Sequence, residues 1–267
     1  MSERQLFVVF DPTTDEQLAL SRAQVIASND GSKVHLYACI HEDTAPSDNE
    51  EEGVATQQDI LQRAVAPLKA KGIEVSTEVT WQKDWYSAVV EAAKRCNADE
   101  VLKSSQRHSK GQRLLKKTSD WALIRECHCP VLLVKSTATQ EPRKVLAALD
   151  ISGDKESYGE LNQNILTFCQ RYTGGDNGAE VHFLNGHKDL PSRPDRGTLL
   201  RVCGVDSEYV HIRMGDPDDV IVDTAKELGV NLVVLGNSAR NGLSALVKSN
   251  TAEKVLDKLE CDLLALT

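Results

Sequence analysis

The chain has 267 residues, with 31 Lys and Arg against 40 Asp and Glu and a formal charge of −9. Up to residue 138 it carries 17 basic and 20 acidic residues, and 14 and 20 after it, so neither half has the basic balance of a general nucleic-acid binder. Hydrophobic residues make up 40% but aromatics only 4%, so the cores must be built from Val, Leu, Ile and Ala. Seven Cys stand at 39, 96, 127, 129, 169, 203 and 261, an odd number at irregular spacing. Most fall in apolar or helical runs, where Cys behaves as a small hydrophobe, and this pattern suits a reducing compartment. The start at Met1 to Arg4 runs straight into an apolar strand, and no run of 18 apolar residues follows. The expectation is a cytoplasmic protein with no membrane and no nucleic-acid partner.

Two short apolar runs end in Asp: Leu6 to Asp11 (LFVVFD) and, 139 residues later, Val145 to Asp150 (VLAALD). Each is continuous rather than alternating, the pattern of a strand buried on both faces of a parallel sheet. A helix follows each. The first is predicted to start at Thr14 with Gln17 three residues on, as in a capping box, and to stop at Gly31. The second carries Leu161, Ile165, Phe168 and Tyr172 on one face and stops at Gly174 and Gly175. Second strands follow at Val34 (VHLYA) and Val181 (VHFL), and third strands at Val75–Trp81 and Tyr209–Met214. Between second and third strands the halves differ. The first half has an acidic loop, Glu42 to Gly53, read as solvated, and a helix around Ile60 to Lys69. The second has Pro191, Pro194 and Gly197, with room for two turns near Leu199 and Leu200.

The third helices run from Asp84 to Arg95 and from Asp216 to Leu228. The second of these has Asp216 as N-cap, Pro217 at the first position and Asp218 and Asp219 in the first turn, which favour a helix start by capping, fixed φ and the macrodipole. Fourth strands at Glu100 (EVLK) and Leu232 (LVVL) lead through a loop and a last helix to CPVLLV at Cys129 and CDLLAL at Cys261. From Asp84 and Asp216 to these Cys the offset is constant at 132 residues. Each half therefore reads β-α-β-α-β-α-β-α-β, which implies two tandem Rossmann-like α/β domains, each a doubly wound parallel five-stranded sheet. They are bounded at 1–138 and 143–267, the second trimmed after its second strand, with Ser136 to Pro142 as the linker.

In such a sheet a ligand sits outside the carboxyl ends of the strands, at the switch point, here Asp11 or Asp150 with the loop after the fourth strand. The second of these loops runs from Gly236 to a helix start at Asn250, Thr251, Ala252 and Glu253. On the stretch Gly236 to Asp262, and on the repeat that spans nearly the whole chain, the sequence resembles tandem universal stress proteins of the bacterial E type. The resemblance implies a stress-response role, and pairing of the last strands, Val131–Val134 with Leu263–Leu266, in an intramolecular pseudo-dimer. ATP-binding members of that family carry Gly, two residues, Gly, nine residues, Gly, then Ser or Thr. Those positions fall on Gly236, Ala239, Ser249 and Asn250, so one of four fits. Gly is needed where backbone takes a positive φ or touches a phosphate, and Ala239 and Ser249 argue against strong ATP binding. Thr251 offers a displaced hydroxyl and Asp150 matches the family's first-strand acid. The candidate nucleotide site, for ATP or AMP, is thus Asp150, Gly236, Ala239, Ser249, Asn250 and Thr251.

In the first half Ser104 stands where the second has Gly236. The stretch from Lys103 to Asp120 holds Lys103, Arg107, Lys110, Arg113, Lys116 and Lys117 with no acid before Asp120. It reads as a solvated positive loop. Its alternative is an anion site of Asp11, Lys103 and Arg107 built from side chains. Phosphate-binding Gly-x-x-x-x-Gly-Lys, Gly-x-Gly-x-x-Gly, Gly-x-Ser-x-Gly and His-Glu-x-x-His patterns are absent. Cys127-His-Cys129 has no second ligand pair, so no metal is expected. His35 and His182 hold equivalent second-strand places, which suggests a shared packing role. The sequence thus favours a binding, non-enzymatic regulator with no cofactor and protein partners not specified. A small-molecule sensor using the second half is the alternative.

Overall fold

A strand order that reverses at the first strand recurs in both halves of the computed structural model. It describes residues 4–105, 113–135, 144–151, 156–173, 178–237, 255, 256 and 258–266. The chain forms two compact units, Met1–Glu141 and Pro142–Thr267. Unit 1 runs β1 (Gln5–Val9), α1 (Leu18–Asp30), β2 (Lys33–Ile40), α2 (Glu50–Ala70), β3 (Val75–Trp81), α3 (Trp85–Arg95), β4 (Glu100–Ser104), α4 (Arg113–Glu126) and β5 (Val131–Val134). All its strand pairs are parallel, in the order β3-β2-β1-β4-β5. Unit 2 runs β6 (Lys144–Ala148), α5 (Glu156–Thr173), β7 (Glu180–His187), α6 (Arg196–Cys203), β8 (Val210–Met214), α7 (Pro217–Leu228), β9 (Leu232–Gly236) and β10 (Asp262–Leu266). Its parallel order is β8-β7-β6-β9-β10.

The buried runs explain the order. Leu6, Phe7 and Val8 in β1, and Val145, Leu146 and Ala147 in β6, are fully buried, as a strand covered by helices on both faces must be. The helix stops read from sequence are seen at Gly31, with φ 76, and at Gly229, with φ 63, both in the left-handed conformation that Gly adopts without strain. Residues Arg196–Cys203 form the short helix expected in the trimmed connection, ending at Gly204.

Two local expectations are corrected. The first helix begins at Leu18 rather than at Thr14, with Gln17 at the N-cap and no side-chain cap bond. The amide of Gln17 is already taken, donating to Asp11 O at 2.8 Å and Thr14 O at 2.7 Å, and Thr14 Oγ1 accepts from Glu16 N. The turn at 11–17 closes on itself before the helix starts. In the other direction, α2 reaches back to Glu50 and absorbs part of the acidic loop. Asn49 caps it by accepting from Glu52 N at 3.0 Å, and three Glu in its first turn meet the positive end of the macrodipole. Gly53 sits there under Trp81, where a Cβ would lie 2.8 Å from the ring. The start of α7 is as expected, with Asp216 at the N-cap, Pro217 in the first turn and Asp218 and Asp219 following; Asp216 makes no side-chain cap bond, and Asp218 and Asp219 pair with Lys258, at 3.3 and 2.5 Å.

His35 and His182 are both buried, and each bonds along its sheet. His35 stacks on Phe7 and meets Ser76 Oγ at 2.8 Å, and burial lowers its pKa. His182 lies between Glu180, at 2.6 Å, and His211, at 3.0 Å. They serve packing and cross-strand bonding at equivalent places.

Candidate functional site

The strand order reverses between β1 and β4 in unit 1, and between β6 and β9 in unit 2. The crevice outside their carboxyl ends is where this topology places a ligand.

In unit 1 the end of β4 sends consecutive side chains to opposite faces. Ser104 meets α1: its Oγ accepts from Ala19 N at 3.0 Å in a buried contact. Ala19 is the second residue of α1, and its N–H is one of the donors that a helix start leaves without an internal partner. The hydroxyl standing where unit 2 has Gly236 therefore takes a donor at this helix end. Lys103 meets α3 and α4. Its Nζ lies 2.8 Å from Asp120 Oδ1, donates to Ser104 O at 2.9 Å and stands 5.4 Å from the Trp85 ring centroid. Asp120 Oδ2 accepts from Ser105 Oγ at 2.9 Å. The Lys103 and Asp120 side chains are only 16% and 11% exposed.

This geometry revises the anion site read from Asp11, Lys103 and Arg107. Lys103 is neutralised by Asp120. Asp11 Oδ1 accepts from both N and Oγ1 of Thr13, at 2.9 and 2.5 Å, so that carboxylate folds into its own turn. Arg107 lies outside the described residues. The positive loop is also shorter than expected, since α4 begins at Arg113 and includes Lys116 and Lys117.

In unit 2 Gly236 is the last residue of β9. A Cβ built there would lie 2.4 Å from both Cγ and Cδ2 of Leu161 on α5. The glycine serves the close seating of α5 on the strand end, and an apolar side chain fills the space on its Cβ side. Asn162, the next residue of α5, holds the end of β6. Its Nδ2 donates to Asp150 O at 2.7 Å and its Oδ1 accepts from Asp150 N at 3.2 Å. Gln17 treats Asp11 in the same way, accepting from Asp11 N at 3.1 Å as well as donating to its carbonyl. Each unit thus closes a side-chain amide over the backbone of its first-strand Asp. The sequence reading missed both clasps, because Gln17 is six and Asn162 twelve residues beyond its Asp and no periodicity links them. The remaining nucleotide candidates, Ala239, Ser249, Asn250 and Thr251, lie outside the described residues.

Burial limits the reactivity of four of the thiols. Burial pushes Cys169 and Cys203 up to about 12, so both stay protonated at neutral pH, and Cys39 and Cys96 are also raised by burial. Cys127 and Cys129 are buried. Among the described residues no group of three or more His, Cys, Asp or Glu is arranged to hold a metal. No helix among them is long and apolar enough to cross a membrane.

The family model described as "Universal stress protein family" matches residues 3–135 and 197–267. The chain is 30% identical to a universal stress protein E homolog of Haemophilus influenzae, covering all of this chain and 98% of that one. It is 29% identical to universal stress protein E of Photorhabdus laumondii, over 98% of this chain and 94% of the other. Among solved structures, a putative universal stress protein from Pseudomonas aeruginosa superposes with a TM-score of 0.78 at 29% identity, covering 99% of this chain and 93% of that one. The family match falls in both halves, and both sheets share the reversed strand order. The chain belongs to the universal stress protein family, whose role is in the stress response, as a tandem member with two Rossmann-like α/β units.

Proposed function

We propose that this chain is a cytoplasmic stress-response regulator that acts by binding partners, without a catalytic cycle and without a tightly held nucleotide. The observation that carries this reading is Leu161 lying against Gly236, which puts an apolar side chain beside the strand end where a phosphate would approach. Unit 1 supports it independently: Ser104 takes a first-turn donor of α1, and Lys103 is paired inside the fold. A thermal melt with and without about 1 mM Mg-ATP, repeated with AMP, tests the reading. A ligand at 100-fold its dissociation constant stabilises by about 2.7 kcal/mol, several degrees for a chain of this size. The expected result is no shift with either nucleotide.

A second reading makes unit 2 a sensor of ATP, AMP or another small ligand. Gly236, the one position of the family's glycine motif that fits, and Asp150, which matches its first-strand acid, favour it. A shift that disappears in Asp150→Ala would establish it against the first reading.

The terminal strands carry a further part of the proposal. Strands β5 and β10 each stand last in the order of their unit and are wholly apolar from Val131 to Val134 and from Leu263 to Leu266. Strands of this kind need cover against edge pairing with other chains. Pairing of the two within one chain, as the family resemblance implies, supplies it. Residues 1–138 expressed alone should then form a dimer in sedimentation equilibrium; a folded monomer would refute the pairing.

A further inference from the structure

The contacts around Asp120 have the composition of an oxyanion site. An ammonium lies 2.8 Å from one carboxylate oxygen and a hydroxyl donates to the other from 2.9 Å. The ring of Trp85 stands on the ammonium's flank, where it limits the access of water. Lys103 is fixed in turn by its bond to Ser104 O, and Ser105 is fixed by its backbone N–H donating to Val134 O at 2.8 Å. The cation and the hydroxyl both come from the end of β4, whereas the anion they hold comes from another element, α4. Charge-assisted bonds of this kind are about twice as strong as neutral ones.

We infer that unit 1 carries an oxyanion site formed by Lys103 and Ser105 at the carboxyl end of β4, and that the carboxylate of Asp120 occupies it in cis. The ligand class is a small oxyanion, a carboxylate or a phosphoryl group. In the folded chain the internal carboxylate excludes both, and the site opens to outside anions when that carboxylate is removed. This deepens the proposed reading, in which unit 1 does not hold a nucleotide, by naming what stands in the way.

The test removes the internal anion. Full-length Asp120→Ala is melted in sodium chloride, sodium formate and sodium phosphate at matched ionic strength. Formate and phosphate, or one of them, are expected to raise its melting temperature over chloride by several degrees more than they raise that of the wild-type chain, on which phosphate acts only as a generally stabilising salt. The probe that acts identifies the source, formate for a carboxylate ligand and phosphate for a phosphoryl group. The gain must vanish in Lys103→Met/Asp120→Ala. Asp120→Ser, which leaves an oxygen for Ser105 while freeing the Lys103 side, gives the same comparison should Asp120→Ala fail to fold. An equal response to all three salts in the folded variant, a wild-type response as large as the variant's, or a response that survives loss of Lys103 would overturn the inference. The ATP and AMP melts of the wild-type chain and of Asp150→Ala bear on unit 2, so the two ideas fail separately.

Discussion

Replacing Lys103 with methionine should lower the unfolding free energy by about 3–5 kcal/mol in urea denaturation, because it strands a carboxylate that is almost out of water. The Asp120 side chain is 11% exposed and, among the described residues, would keep the hydroxyl of Ser105. Methionine retains an unbranched stem to lie along Trp85, so the loss reports the charge more than the packing. Removing both charges in Lys103→Met/Asp120→Leu should recover most of that loss, since a buried pair exchanged for apolar residues of similar volume is often neutral or stabilising. A cost for Lys103→Met below about 1 kcal/mol, the level of a surface pair, would mean that water reaches the contact freely and that Lys103 is available to outside anions after all.

Gly236→Ala carries the second large effect. Its Cβ would be placed 2.4 Å from two atoms of Leu161, so either the leucine changes rotamer or α5 shifts off the strand end. Overpacking of this kind costs about 1–3 kcal/mol. In a Leu161→Ala background the same substitution should cost much less, and the difference between the two is the coupling measured by a double-mutant cycle. Equal costs in both backgrounds would show that the glycine is required for its backbone rather than for the approach of Leu161, which is the requirement a phosphate-binding glycine would have.

The elements that were legible in the sequence are those whose cause is local. Continuous apolar runs marked β1, β6 and the other inner strands, and the glycines at 31 and 229 end their helices in left-handed conformation as local sequence signals suggest. The repeat at fixed offset supplied the order of elements twice over. What was not legible depends on side chains that meet through the fold. Thr14 and Gln17 have the spacing of a capping box, yet Gln17 is drawn to the backbone of Asp11, and the helix starts later. The same holds for the site. Lys103 in a run of basic residues reads as a solvated charge, because nothing in the spacing tells that α4 will return Asp120 to the end of β4. Gly236 reads as a phosphate glycine because its packing partner, Leu161, lies in a helix far earlier in the chain. In both places the residue type is visible in the sequence and its partner is not, since partners across a parallel sheet leave no periodic trace.

The nucleotide content of the purified full-length chain tests the central claim most directly. Protein prepared without added nucleotide is denatured, its small molecules are separated by chromatography, and adenine nucleotides are counted per chain. With strand ends closed by Ser104, the Lys103–Asp120 pair and Leu161, the content should be far below one nucleotide per chain, and dialysis against Mg-ATP should leave it there. Adenine nucleotide at close to one per chain, retained through purification and lost in Asp150→Ala, would contradict the account and make unit 2 a nucleotide-holding domain.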